Sequence, residues 1–124
     1  MDTRKKIIEA PWPEFVRPLA VVTGSFDVLR VEHARDLEHA RDDARAATLL
    51  AIVLPDPAAL LPQRARAELV AALRAVDYVV VADAEDVEGI VRSLQPAELF
   101  RLEGADEGRA HQLRELVRSR TRNA

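Results

Sequence analysis

The side chains of this sequence best suited to chemistry lie in one run, Thr23-Gly24-Ser25-Phe26-Asp27-Val28-Leu29-Arg30-Val31-Glu32-His33. Gly24 has no Cβ, so backbone there can close on a ligand. A helix starting just after it offers unpaired amides and the positive end of a dipole, which together suit a phosphate. Arg30 supplies a fixed positive charge. His33, in the first turn of that helix, can donate a hydrogen bond to a phosphate oxygen. The same residues also fit a turn that binds nothing. Glycines follow first strands in many α/β folds, a histidine at a helix start often caps it, and Arg30 can be simply solvated.

The elements that must position this run are readable on either side of it. Ala20-Val21-Val22 is a short β-branched strand leading into the turn. Ala34, Leu37, Ala40 and Ala44 then recur at helical spacing with charges between them. Thr48 to Leu54 is a continuous apolar run of strand length, broken by Pro55-Asp56-Pro57. Leu61, Ala65, Leu69 and Leu73 mark one face of a second helix, and Asp77 to Val81 a third strand. Asp86 caps a third helix with Val87, Ile90, Val91 and Leu94 inward, ended by Pro96. Glu98 to Leu102 is a weaker fourth strand, and Leu113, Leu116 and Val117 mark a fourth helix. Apolar strands alternating with amphipathic helices predict a single Rossmann-like α/β domain, a parallel sheet of four to five strands with helices on both faces. Residues 1–17, with Trp12 between Pro11 and Pro13, read as an N-terminal arm or helix, and residues 18–124 as the domain. Ligands in such sheets sit beyond the carboxyl ends of the strands where strand order reverses, which directs attention to residues 23–33.

Composition narrows the classes. The chain has 124 residues, 31% of them charged, and a formal net charge of -3. That charge favours neither nucleic acid nor an anionic membrane as partner. With no cysteine there is no disulfide framework, thiolate metal site or thiol nucleophile. No apolar run approaches the roughly 20 residues of a membrane helix, and the start lacks a signal-length apolar stretch, so a cytoplasmic location is expected. No G-x-G-x-x-G follows the first strand, against a dinucleotide-dependent oxidoreductase. His39 and His111 belong to no set with zinc spacing, and no metal site is expected from the residues alone. Arg114, Arg118, Arg120 and Arg122 read as a frayed, solvated end. Leu60, Leu61 and Leu69 fit either a core or the face of a homodimer.

Three blocks in order resemble the cytidylyltransferase-like nucleotidyltransferases, the family of glycerol-3-phosphate cytidylyltransferase and of the heptose-phosphate adenylyltransferase domain. The family pattern T-x-G-x-F-D-x-x-H-x-G-H, with a leucine four residues on, is matched at Gly24, Phe26, Asp27, His33 and Leu37. Arg66-Ala67-Glu68 through Leu73 to Val76-Asp77-Tyr78 resembles R-x-E-x-x-x-x-L-x-x-V-D-x-V, and Gly104-Ala105-Asp106 resembles K-G-x-D. The resemblance implies attack by a substrate phosphate on the α-phosphate of CTP or ATP, with pyrophosphate leaving, a phosphorylated small molecule as acceptor, and Mg2+ on the phosphates. It assigns Arg30 and His33 to catalysis. It places Thr23, Gly24, Ser25, Phe26, Asp27, Arg66 and Asp106 around the nucleotide, with Asp27 supporting the turn or a metal. Such catalysis is positioning and charge stabilisation.

The copy departs from the pattern where phosphates bind. Arg30 stands for the first motif histidine, Glu32 for the motif glycine and Glu103 for the lysine before Gly104, so the H-x-G-H motif is degenerate. Arginine keeps a charge but cannot give up a proton. A carboxylate beside a triphosphate in a partly desolvated site costs a few kcal/mol. Pro57 to Pro62 contains no cation, where the family has a lysine-containing loop, and Ser119-Arg120-Thr121-Arg122 echoes the family's late Ser/Thr motif only faintly. The expectation is a nucleotidyltransferase-like domain whose catalysis is weakened or lost. The rival is a non-catalytic binding or assembly module, a pseudoenzyme on the same fold, which would bind no nucleotide.

Overall fold

A computed structural model describes residues 2–27 and 31–102. The apolar runs form parallel strands: β1 (Leu19–Gly24), β2 (Thr48–Val53), β3 (Tyr78–Val81) and β4 (Glu98–Arg101). Three helices connect them: α1 (Val31–Asp43), α2 (Gln63–Ala71) and α3 (Val87–Leu94). Among the described residues this is a four-stranded sheet of order β3-β2-β1-β4. Register pairs Val22 with Ala51 and Phe100, and Val53 with Val81. The residues of β1 and β2 are buried throughout, as continuous apolar strands must be when both faces are covered.

Alternation along the strands divides the core. Ala20, Val22, Leu49, Ala51, Val79 and Phe100 pack with Leu37 and Ala40 of α1 and Ala67, Val70 and Ala71 of α2. Leu19, Val21, Leu50, Ile52 and Val80 pack with Val87 and Leu94 of α3 and with Phe15. The fold is therefore the expected Rossmann-like α/β arrangement, with helices on both faces.

The sheet-facing side of α2, which the sequence leaves open, is Arg66, Ala67, Val70 and Ala71, and Leu69 is 41% exposed. One detail differs from the sequence reading. Asp86 stands at the N-cap of α3 but its side chain makes no capping bond. A 3-10 turn, Ala84–Asp86, leads into the helix instead. The proposed fourth helix lies outside the described residues.

The first residues form an edge arm. A 3-10 turn, Thr3–Lys6, packs beside α2, and Ile7 bridges to Val79 in parallel. Lys6 Nζ donates to the carbonyls of Val76 at 2.7 Å and Leu73 at 3.2 Å. Trp12 Nε1 donates to Ser93 Oγ at 2.9 Å, and Arg17 ties the arm to the Leu94 and Gln95 carbonyls. Among the described residues no helix is long and apolar enough to cross a membrane.

Candidate functional site

Strand order reverses at β1: β2 lies on one side of it and β4 on the other. The crevice that doubly wound sheets use for ligands therefore opens at the carboxyl ends of β1 and β4. Gly24 is the last residue of β1, and Leu102, just past β4, donates its amide to the Thr23 carbonyl at 2.7 Å. Thr23 itself is fully buried between its strand neighbours Ile52 and Arg101.

The turn beyond Gly24 is held in an unusual shape. Phe26 has φ 55°, in the left-handed region that a bulky side chain seldom occupies. Its ring lies over the bare Cα of Gly24. A Cβ there would sit 3.2 Å from Cε2 and Cζ of the ring and 3.4 Å from Cβ of Leu102. The glycine is needed because the aromatic ring fills the space. On α1 the ring of His33 meets Phe26 edge-on, with centroids 6.1 Å apart and planes at 67°. His33 is 5% exposed, a buried imidazole in the first turn of α1. Glu32, expected to intrude on the phosphate position, is exposed.

A second set of bonds ties this turn to the loop after β2. Both oxygens of Asp27 accept backbone amides, Oδ2 from Leu60 at 2.8 Å and Oδ1 from Leu61 at 3.2 Å. Ser25 Oγ donates to Asp56 Oδ2 at 2.7 Å, and Leu54 donates its amide to the Gly24 carbonyl at 2.9 Å. Arg66, 2% exposed, reaches in from α2. Its Nη1 donates to the carbonyls of Ser25 at 2.7 Å and Leu54 at 2.8 Å, and its Nε to that of Leu61 at 3.1 Å. Expected beside the phosphates, Arg66 instead braces the two loops from beneath. Asp27 likewise acts here as a staple.

Asp56 is the member of this cluster that sequence reasoning missed. Its carboxyl lies below the ordinary aspartate range, first because Ser25 donates to it, then because the Ala58 amide does, with the charge of Arg66 adding to both; partial burial opposes them. The bond to Ala58, two residues on, is the Asx turn that an aspartate between two prolines favours, and that much was available from Pro55-Asp56-Pro57. The bond to Ser25, 31 residues away, had no local signal. Arg30, Glu103 and Asp106 lie outside the described residues.

The arrangement offers backbone, a hydroxyl already engaged and a buried imidazole around one crevice. Groups of these kinds suit the binding and orientation of a ligand.

No family model matches the sequence. Over 80 residues it is 31% identical to an FAD synthase of Methanohalophilus mahii, an alignment covering 61% of this chain and 56% of that protein. The chain thus spans little more than half the length of this curated relative. Its fold is similar to the crystal structure of a lipopolysaccharide core biosynthesis protein from Thermoplasma volcanium, with a TM-score of 0.60 and 20% identity, over 65% of this chain and 70% of the other. At that identity the structural likeness speaks for the α/β fold. The sequence match supports the nucleotidyltransferase-like resemblance.

Proposed function

We propose that this chain is a nucleotidyltransferase-like domain that binds a nucleoside triphosphate against the Gly24–Asp27 turn. The observation that carries the reading is that Gly24, Phe26 and His33 pack on one another at the carboxyl end of β1, where strand order reverses. The motif resemblance allows CTP or ATP. The match to a protein named for making FAD, which contains an adenylate, favours ATP. A phosphorylated small molecule is the acceptor. Its phosphate attacks the α-phosphate, a P–O bond forms there, and the bond to the departing pyrophosphate breaks. Gly24 and the turn bring backbone to the polyphosphate, His33 donates to a phosphate oxygen, and Arg30 adds fixed charge.

Mg2+ would enter on the triphosphate rather than be held in a cage of side chains. Both oxygens of Asp27 already accept amides, and Asp56 is bonded to Ser25 and Ala58, so neither carboxylate is free to serve as a dedicated ligand without opening the loop.

Turnover is weak or lost in this reading. Arg30 cannot deliver a proton, Glu103 and Glu32 bring negative charge, the Pro57–Pro62 stretch brings no cation, and Arg66 is committed to carbonyls. A thermal-shift series with ATP, CTP and Mg2+, followed by an assay for AMP or CMP transfer, tests both halves. Binding raises the melting temperature by linkage, and transfer is slow or absent. Transfer at ordinary enzyme rates contradicts the loss of catalysis. A flat thermal response to every nucleotide contradicts the site and leaves the assembly module.

A further inference from the structure

Ser25 has one hydroxyl proton, and the fold engages it. Its Oγ donates to Asp56 Oδ2 at 2.7 Å. A hydroxyl offers a single donor and two acceptor lone pairs. Nη1 of the buried Arg66 donates toward the same oxygen at 3.4 Å. What Ser25 Oγ keeps for a ligand is therefore acceptor capacity. Asp56 adds more of the same kind. Its Oδ1 accepts the Ala58 amide at 3.0 Å, which together with the Ser25 bond occupies about half of a carboxylate's lone-pair sites. The carboxylate is half-buried, and it is ionised at neutral pH because the Ser25 hydroxyl first, and the Ala58 amide second, hold it below the ordinary aspartate range. Pro55 and Pro57 on either side fix two backbone angles of the loop and limit its freedom to swing the carboxylate away. The Gly24–Asp27 turn thus has a negative charge bonded to it, and Ser25 brings it no donor. Phosphate oxygens are themselves negative and accept only.

We propose, resting on the nucleotide reading above, that Asp56 makes this site selective for a nucleoside triphosphate complexed with a divalent cation over the bare polyanion. A bare triphosphate at the turn meets like charge at Asp56 and an acceptor at Ser25, and both oppose it. Mg2+ on the phosphates lowers the charge of the ligand. Water carried by the cation donates hydrogen bonds, which acceptors of this kind take. Neither side chain has to give up its loop contacts. Asp56 then determines specificity without serving as a dedicated metal ligand.

Calorimetric titration of the full chain with ATP, once in excess Mg2+ and once in EDTA, tests this on the native chain, Asp56→Asn and Asp56→Glu. The native chain is expected to bind the magnesium complex about tenfold or more tighter than bare ATP. Asp56→Asn removes the charge and lets an amide donate to Ser25 Oγ, which releases the hydroxyl proton for a ligand. Affinity for bare ATP then rises, and the ratio falls to about threefold or less. Asp56→Ser, which also suits a turn and carries no charge, gives the same result should the asparagine variant unfold. Asp56→Glu keeps the charge and keeps the ratio, whereas loss of a merely structural contact would weaken both arms alike. Equal affinity of the native chain for the two forms overturns the proposal, as does a ratio that survives removal of the charge. A ratio that falls only because the magnesium complex binds more weakly overturns it in favour of direct metal ligation. Each of these results leaves the nucleotide reading standing. Absence of binding in every arm overturns that reading, and this one with it.

Discussion

Arg66 heads the fully buried side chains of the described residues by volume, and it is charged. A guanidinium is taken out of water at a cost that only several well-formed hydrogen bonds offset. Here the carbonyls of Ser25, Leu54 and Leu61 do so. Arg66→Leu strands those oxygens and, leucine being the smaller side chain, also leaves a gap. We expect a loss of about 3 kcal/mol or more, measured by urea unfolding, with Arg66→Lys intermediate because one ammonium cannot span all three. A loss under about 1 kcal/mol for the leucine variant would show that the brace carries little. Gly24→Ala drives a Cβ into the Phe26 ring. Overpacking of that kind costs about 1–3 kcal/mol, and the same unfolding experiment reads it. For Asp56 the sign runs one way. Its folded carboxyl titrates below its unfolded value, so the ionised form contributes stability above an ordinary aspartate pKa of about 3.9. That contribution disappears as pH falls through the lower, folded value. Carboxyl NMR titration should place Asp56 below ordinary aspartates, and Ser25→Ala should move it upward, since the Ser25 hydroxyl is the largest cause of the shift. An unmoved midpoint would deny the link between the two loops.

At the scale of elements, what the sequence disclosed depended on whether the deciding interaction was local. Strands β1 and β2 read directly as apolar β-branched runs because burial on both faces leaves no alternation to interpret. Helix α3 read correctly from Val87, Ile90, Val91 and Leu94, two of them buried and two partly so. For helix α2 the sequence leaves the leucines open between core and exposed face. Its inward face is built from two alanines, a valine and an arginine, and the burial of that arginine depends on tertiary contacts with three carbonyls that no local pattern reveals. Two substitutions separate the faces. Val70→Ala should cost about 2 kcal/mol, whereas Leu69→Ala should cost under about 0.5 kcal/mol. Equal costs would mean that α2 sits differently on the sheet.

For the molecule as a whole, the α/β fold was legible, because it follows from the succession of elements, and the carboxyl-edge rule then directs the candidate site to the end of β1. The site's interior was not legible. Ser25 and Arg66 were named from the sequence as ligand contacts and Asp27 as a contact that supports the turn or a metal; the structure ties all three into bonds spanning 31 to 41 residues of chain. Such long-range ties leave no trace in local spacing. Beside this tied backbone stand Phe26 and His33, their rings edge to face. The proposal places a nucleotide in the crevice at the carboxyl ends of β1 and β4. The most direct measurement is calorimetric titration of the full chain with ATP and Mg2+, native and His33→Ala side by side. The account predicts saturable binding near one nucleotide per chain, weakened about tenfold or more in the variant by loss of a charge-assisted hydrogen bond. No heat of binding with the native chain, or identical affinity in the two proteins, would contradict it.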